Sequence, residues 1–555
     1  MKIKDLIRGI PCTWLAGDPE TEVTGICHDN RKMRQGDAFI CVAGARFDTH
    51  TLIGQIAEAG ASLIVVEKDV PLPRGAAAVR VEDSRLACPL LAAAFYGHPA
   101  EKMKTVGITG SKGKTTTAHM AAQMLRCAGK TVGTIGTNGA IMPDRPERNE
   151  IPGADRKTCH PCGETPGSVV YELDNTTPDP IELQMYLAMM AKAGCTHAVI
   201  EVSSQAMKQH RVDGFIFDCG IWTNIEEGDH IGPNEHKDFA EYLRCKAGLI
   251  NHSRIGFVNC DDPHLDAFLR YVNLSDGSDG RPKRLWYFGT SQKADFRLSG
   301  FRETFDENEK RPGIAFDVTL REPAGGEPAE GGEKAADAGD GGTRTEHLTA
   351  AFPGKFNMYN AAAAFCAADR MGVPVSAVNE GLNRLKIRGR FDIVFDNGHF
   401  RVCVDFAHNG YSTRNHLSAL REYRPRRIVC VFSADGNRSV YRRTEMGEAS
   451  ALLADFSIVT EGHNRFETFE AICSDILKGI ESAEKQMGHK ACYWVIPNRE
   501  TAIRYAIENA QEGDFITILG LGHESYQEEN GKKYPHADIE YVRKVCAELG
   551  LENRV

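Results

Sequence analysis

The 555-residue chain predicts an α/β fold in three domains, a reading that rests on three features. From about residue 103 onward, short apolar runs alternate with longer segments of helical period, the pattern of parallel sheets covered by helices. Polar residues follow each run, so chemically able groups collect at the carboxyl ends of strands, where open α/β sheets bind ligands. At roughly 150 residues per domain the length accommodates three or four domains, each able to bury a core.

Residues 1–102 read as a small α/β domain, with strands over 37–42 and 62–67 around a helix near 52–59. Residues 103–387 form a central parallel-sheet domain. Its runs are Thr105-Val106-Gly107-Ile108, Ala198-Val199-Ile200, Gly220-Ile221-Trp222 and Ile255-Gly256-Phe257-Val258. They lead into Thr109-Gly110-Ser111, Glu201, Thr223-Asn224, and Asn259 with Asp261. Residues 388–555 read as a Rossmann-like domain, with runs at 402–404, 428–432, 456–459 and 515–519 leading into Asp405, Ser433-Ala434-Asp435, Thr460-Glu461 and Gly520-Leu521-Gly522-His523-Glu524. The stretch 321–346, rich in Gly, Glu, Ala and Asp, lies between strand-like runs at 314–320 and 347–352 and reads as a disordered hairpin loop. An insert over about 141–173 carries Cys159-His160-Pro161-Cys162; without a second well-spaced Cys pair nearby it is expected to be a solvent loop with two reduced thiols, not a zinc site.

Lys+Arg 66 against Asp+Glu 76 gives a net charge of −10, which argues against a chain that coats nucleic acid or an anionic membrane by bulk attraction. Any polyanionic ligand must be held by local groups. No apolar run reaches the ~20 residues of a membrane span, so no membrane insertion is expected. The opening Met1-Lys2-Ile3-Lys4-Asp5 is too charged to begin a secretory signal, and a cytoplasmic location is expected. Several of the 17 cysteines (Cys41, Cys88, Cys403, Cys430) sit in apolar runs, where buried reduced thiols are common.

The segment Gly107-Ile108-Thr109-Gly110-Ser111-Lys112-Gly113-Lys114-Thr115-Thr116-Thr117 joins a strand to a helix beginning near Thr116, the context a nucleotide phosphate loop requires. Glycines let backbone N–H groups wrap phosphate oxygens, Lys114 supplies a point charge, and the Thr115 hydroxyl is a ligand for Mg²⁺. The strict eight-residue signature places glycine where this chain has Ile108, so the loop is a variant.

That loop resembles the signature of the Mur ligases, ATP-dependent enzymes that add amino acids to the muramoyl peptide precursor of the bacterial cell wall. Further motifs strengthen the resemblance over essentially the whole chain. They are Asn175-Thr176-Thr177-Pro178, Glu201-Val202-Ser203-Ser204, His210-Arg211-Val212-Asp213-Gly214, Phe356-Asn357-Met358-Tyr359-Asn360, Asp405-Phe406-Ala407-His408-Asn409 and Gly522-His523-Glu524. The resemblance implies that ATP phosphorylates a glutamate carboxylate of a UDP-muramoyl dipeptide, and that the amine of a diamino acid attacks the acyl phosphate. Charge then builds on the transferred phosphoryl group and on a tetrahedral carbon, so cations are needed around one point.

By this resemblance Gly110, Ser111, Lys112, Gly113, Lys114, Thr115 and Thr116 hold ATP, with Asn357, Asn360, Arg390 and Asp405 completing the nucleotide site. Lys114, Lys246 and His408 are the implied catalytic residues. Two Mg²⁺ ions are implied, on Thr115, Glu201, His230 and Lys246, the last carbamylated by CO₂. The alternatives are a solvated strand-end carboxylate for Glu201, an unmodified surface lysine for Lys246 and a neutral structural histidine for His408. The N-terminal domain is implied to hold the uridine end through Asn30 and Ala45-Arg46-Phe47, while Asn175, Thr176, Thr177, Ser203, Gln209 and Arg211 hold the muramoyl peptide.

Arg438, Gly462, His463, Asn464, Arg465, Gly520 and Glu524 fall on positions implied to receive the diamino acid. Family members that add meso-diaminopimelate usually carry Asp-Asn-Pro-Arg where this chain has Gly462-His463-Asn464-Arg465. The surviving guanidinium suits the distal carboxylate of diaminopimelate, whereas L-lysine would leave it unpaired, so meso-diaminopimelate is expected over L-lysine. Glu524 suits a far ammonium, although Leu521 stands where lysine is usual and Glu461 adds negative charge. A folylpolyglutamate- or cyanophycin-type ligase is the rival enzyme, disfavoured by Asp29-Asn30-Arg31, and a non-catalytic paralogue that binds the UDP-precursor is the rival of another class. A monomer acting on small-molecule substrates is expected.

Overall fold

Most strands form in this chain where β-branched and apolar residues run together between turn residues, and most stop at glycine or a polar residue. The computed structural model describes residues 1–44, 47–154, 157–162, 165–227, 230–232, 235–274, 284–306, 311–321 and 342–554. The N-terminal sheet consists of β1 (Thr13–Ala16), β2 (Gly25–Cys27), β3 (Asp37–Ile40), β4 (Leu63–Val66) and β5 (Ala78–Arg80) in the order β1-β5-β4-β3-β2. β3, β4 and the helix Ile53–Glu58 are the elements expected there.

The central sheet is built from β6 (Lys104–Thr109), β7 (Val132–Gly136), β8 (Gly139–Pro143), β9 (His160–Pro161), β10 (Ser168–Tyr171), β11 (His197–Glu201), β12 (Phe217–Trp222), β13 (Ser253–Asn259), β14 (Arg284–Gly289), β15 (Phe296–Asp306), β16 (Arg311–Arg321) and β17 (Thr343–Ala350). Their order is β17-β16-β15-β14-β13-β12-β6-β11-β7-β8-β10-β9. β6 lies between β11 and β12, parallel to both. The phosphate loop therefore leaves the middle of the sheet, flanked by the strand ends that carry Glu201 and Thr223.

The third sheet contains β18 (Asp392–Asp396), β19 (Arg401–Asp405), β20 (Arg427–Phe432), β21 (Phe456–Val459), β22 (Tyr493–Val495) and β23 (Asp514–Leu519), ordered β18-β19-β23-β20-β21-β22. Val402, Val404, Val429, Val431, Ile516 and Ile518 pack on one face; Cys403, Ile428, Cys430, Phe432, Phe515 and Leu519 pack on the other. Burial on both faces explains why these strands read as unbroken apolar runs. A hairpin of β24 (Tyr526–Glu529) and β25 (Lys532–Pro535) follows.

The chain divides into two compact units. One comprises Met1–Gly300, Phe316–Leu348 and Tyr359–Leu382; the other comprises Phe301–Ala315, Thr349–Met358 and Asn383–Val555. No helix among the described residues is long and apolar enough to cross a membrane. Within the stretch 321–346, Arg321 closes β16 and Thr343 opens β17, while 322–341 lie outside the described residues.

The insert corrects an expectation. In place of a solvent loop, β8 pairs antiparallel with β7 and with β10, and β9 pairs with β10, so the segment extends the central sheet. Met142, Ala154, Val169 and Tyr171 join the core of the helix Pro180–Lys192, and Cys162 is buried. Its paired strands are short, and β8 and β9 end at Pro143 and Pro161, which hides them from a periodicity argument.

Candidate active site

The helix after the phosphate loop begins at Lys114, two residues before the expected start. Gly113 caps it at φ +82°, a left-handed conformation, and a Cβ there would meet Asn360 Oδ1 at 2.2 Å. Glycine at 113 is thus needed both for backbone shape and for close approach. Ile108 is fully buried within β6, so the departure from the strict signature lies in the strand core and not in the turn that wraps phosphate.

Lys114 Nζ donates to the carbonyls of Gly110 (2.7 Å) and Ser111 (3.3 Å), folding the lysine back over its own loop. The loop is also clamped from β12, because Lys112 N–H donates to Asn224 Oδ1 (2.9 Å) while Asn224 Nδ2 and Thr223 Oγ1 donate to Lys112 O. Ser111 Oγ lies 2.8 Å from the Tyr242 hydroxyl. Sequence reasoning missed Asn224 and Tyr242 as loop supports. The only signal was the polar Thr223-Asn224 pair at a strand end.

Glu201, the last residue of β11, is 1% exposed and gathers a polar cluster beside the loop. Its Oε2 accepts from Thr115 Oγ1 (2.8 Å) and Thr137 Oγ1 (3.2 Å), and its Oε1 from Thr137 N–H (2.9 Å). This is no solvated strand-end carboxylate. A buried carboxylate ringed by hydroxyls offers hard oxygen donors of the kind Mg²⁺ takes, so Thr115 and Glu201 fit such an ion. Thr137 was not foreseen, since nothing local marks it.

The peptide-binding positions converge on the same strand end. Thr177 Oγ1 donates to Glu201 O (2.8 Å) and accepts from Ser203 N–H (3.0 Å), while Ser203 caps the short helix Ser204–Lys208. Arg211 donates to Thr177 O (2.6 Å) and, through Nε and a terminal nitrogen, to Gln209 Oε1 (3.2 and 2.8 Å). Burial lowers the Arg211 pKa. Thr176 lies 3.4 Å from Thr137 Oγ1, and Asn175 is exposed beside them. A pairable guanidinium, two hydroxyls and a buried carboxylate thus stand within one cluster.

Lys246 and Tyr242 occupy one face of the helix Phe239–Asn251, four residues apart, and the ammonium lies 4.6 Å from the Tyr242 ring centroid. Lys246 is 1% exposed, which rules out the surface-lysine alternative. Buried His236 bonds Ser204 Oγ (2.8 Å), and both His236 and His230 pack against Tyr242. His230 sits 3.2 Å from Glu235 Oε1. The described residues contain no group of three or more His, Cys, Asp or Glu arranged to hold a metal, so an ion here would depend on Thr115 and on modified Lys246 as well.

In the second unit, Asp405 accepts from Phe391 N–H and Ala407 N–H, each at 2.7 Å, with His416 Nδ1 at 3.6 Å. Burial pushes its pKa up, but His416 and Arg390 outweigh this and hold the carboxyl below the usual range. The Arg390 guanidinium lies 4.7 Å from the Phe406 ring. His408 Nδ1 is 2.8 Å from Phe406 O, and the ring faces a small recess with Asp435, Arg438 and Arg442. Buried Asn357 donates to Pro353 O (2.8 Å), whereas Asn360 belongs to the first unit and accepts from Thr117 Oγ1 (3.4 Å).

At the carboxyl ends of β20, β21 and β23, buried His463 bonds Glu524 Oε2 (2.8 Å) and accepts from Glu528 N–H (3.0 Å). Arg465, at φ +53°, lies 3.3 Å from Asp435, 3.4 Å from Gly436 O and 3.5 Å from Glu528. Gly462 and Gly520 both approach Ser433 Oγ closely enough that a Cβ would collide (2.4 and 2.9 Å). Asn464 is buried, and its backbone carbonyl bars any side chain at Gly436. Leu521 is fully buried, and burial with the charge of Glu529 raises the pKa of Glu461. Beneath them Arg499 grips Asp538 with two bonds (2.8 and 2.7 Å) and donates to Ser433 Oγ, Glu461 O and Leu519 O. No motif announced that pair, whose members are 39 residues apart.

In the N-terminal domain Arg31 folds back on Asp29 (2.9 and 2.8 Å), Asn30 is exposed and Phe47 is 54% exposed. Ala45 and Arg46 lie outside the described residues.

Three family profiles match the chain in order: Mur ligase family, catalytic domain over residues 22–96; Mur ligase middle domain over 108–368; and Mur ligase, glutamate ligase domain over 389–522. A UDP-N-acetylmuramoyl-L-alanyl-D-glutamate–2,6-diaminopimelate ligase of Caldanaerobacter subterraneus subsp. tengcongensis is 30% identical over 549 residues, 99% of each chain. The protein of the same name from Geobacillus thermodenitrificans is 31% identical over 538 residues, 95% of each. Among solved structures, a ligase of that name superposes with a TM-score of 0.62 at 22% identity over 99% of both chains, a likeness of fold. The folylpolyglutamate synthase of Mycobacterium tuberculosis, complexed with ADP, shares the fold less closely, with a TM-score of 0.56 at 16% identity over 84% of this chain and 95% of that one. Matched from end to end and through all three domains in order, this chain belongs to the Mur ligase family.

Proposed function

We propose that the chain is an ATP-dependent, ADP-forming ligase that joins meso-diaminopimelate to the D-glutamate carboxylate of UDP-N-acetylmuramoyl-L-alanyl-D-glutamate, a step of peptidoglycan precursor synthesis. In this reading residues 1–102 bind the uridine end, 103–387 bind ATP and the peptide, and 388–555 bind the amino acid. The observation that carries it is the junction at Glu201, where Thr115 of the phosphate loop and Thr177, Ser203 and Arg211 meet one buried strand end.

The chain's own groups divide the work. The phosphate-loop backbone and Lys114 would exchange their internal bonds for phosphate oxygens, placing positive charge where the phosphoryl group is transferred. Arg211 would pair with a peptide carboxylate, and Thr177 and Ser203 would hold the substrate close to the loop. Thr115, Glu201, His230 and carbamylated Lys246 would hold Mg²⁺, which supplies neutralisation of phosphate charge. Asn357, Asn360, Arg390 and Asp405 would contact the nucleotide, and His408 the reacting phosphate. Arg465 and Arg438 would take the distal carboxylate of the amino acid, and Glu524 its ammonium. Relatives 30% identical over 99% of this chain and named for 2,6-diaminopimelate support that choice over lysine.

The test supplies amino acids one at a time with Mg²⁺, ATP and the UDP-dipeptide, measuring phosphate release and product mass. Release with meso-diaminopimelate alone is expected. Release with lysine alone would overturn the amino-acid assignment, and no release with any amino acid would overturn the ligase.

A further inference from the structure

We infer that His463 is a positioning residue for the amino-acid site, a neutral imidazole strut that aims the Glu524 carboxylate at the ammonium of the incoming diamino acid. The inference rests on the proposed function and concerns a residue at which this chain departs from the usual Asp-Asn-Pro-Arg pattern.

Glu528 N–H can only donate, so the His463 Nδ1 that it meets at 3.0 Å is an acceptor and bears no proton. In the neutral ring the proton is then on Nε2, which lies 2.8 Å from Glu524 Oε2 and donates to it. His463 is 4% exposed, and its ring packs 5.2 Å from that of Tyr526. The strut thus joins the loop after β21 to the segment between β23 and the β24–β25 hairpin. The same hairpin strand supplies Glu528, whose carboxylate lies 3.5 Å from Arg465. Glu524 and Arg465, the anion and the cation suited to a far end bearing both ammonium and carboxylate, are therefore held by one connected set of bonds. A carboxylate fixed by a donor loses less freedom on binding an ammonium than a mobile one.

Kinetics on the full chain, with ATP, Mg²⁺ and the UDP-dipeptide saturating, test this. His463→Ala should raise KM for the diamino acid by about tenfold or more, the loss expected for a hydrogen bond to a charged group, with kcat and KM for ATP within about twofold. His463→Gln, whose amide carries both an acceptor and a donor, should recover most of the loss. Glu524→Gln should raise the same KM, and adding His463→Ala to it should cost little more. Unchanged amino-acid KM in His463→Ala, or a parallel fall in kcat and ATP affinity, would overturn the positioning role.

Should the alanine variant not fold, long-range proton–nitrogen spectra of imidazole-labelled wild type give a second reading. The ring whose signals vanish in His463→Gln must be the Nε2–H tautomer and must shift when the diamino acid is added; an Nδ1–H tautomer overturns the strut. A wild-type chain that ligates no diamino acid would overturn the proposed function and this role together. Wild-type turnover with an indifferent His463 would overturn this role alone.

Discussion

The Arg499–Asp538 pair shows how much a single contact supports. Both side chains are almost wholly buried, and the guanidinium spends its remaining donors on groups at the ends of β20, β21 and β23. Asp538→Asn would leave Arg499 buried without its counter-charge, which costs about 3–5 kcal/mol and should be measurable by chemical denaturation. Burial drives the Asp538 pKa up, but Arg499 and His536 prevail and bring it down to about 2. A folded pKa below the unfolded value near 3.9 means that this stabilisation is complete above about pH 4 and is lost as pH falls through 2. Wild type should therefore lose about 2–3 kcal/mol more than Asp538→Asn between pH 5 and pH 2; parallel pH profiles would show that the pair does not titrate in this way. At the phosphate loop, Lys114→Ala should cut phosphate release by at least about a hundredfold while leaving UDP-dipeptide affinity within about threefold, as calorimetric titration would read. Equal loss of both would mean that the loop serves the peptide.

At the scale of elements, legibility in the sequence followed the range of the interaction. β21 has the predicted bounds, and β6, β11, β12, β13, β19, β20 and β23 differ by a few residues at their ends, because apolar strands buried on both faces announce themselves. Gly113, Lys114, Thr115 and Glu201 were readable since motif spacing compresses loop geometry into adjacent positions. Thr137, Asn224, Tyr242 and Asp538 were not, because each meets its partner only after the sheet brings distant segments together. The insert was illegible for a related reason: β9 and β10 are too short to show a period, and β9 joins the sheet only through β10, which itself pairs with β8. Its anchor is buried Arg148, whose Nε donates to Tyr171 OH (3.0 Å) and which pairs with Asp144 at 2.7 Å. Arg148→Ala should cost about 2–3 kcal/mol by thermal denaturation. The extended β9 backbone also sets the Cα atoms of Cys159 and Cys162 about 10 Å apart, beyond disulfide reach. Mild oxidation followed by mass spectrometry should find no 159–162 linkage.

For the whole molecule, the two compact units each carry cores of their own. Those of the first include Tyr171, Met189, Trp222 and Phe268; those of the second include Val404, Ile458, Leu519 and Val545. Units with separate cores need not unfold together, and a chain of this size is outside the range where a single two-state transition is the default. Scanning calorimetry should resolve two transitions. Arg148 belongs to the first unit and Asp538 to the second, so Arg148→Ala should lower one transition by several degrees and Asp538→Asn the other, each leaving its counterpart within about a degree. A single transition moved by both variants would mean that the cores melt as one cooperative body.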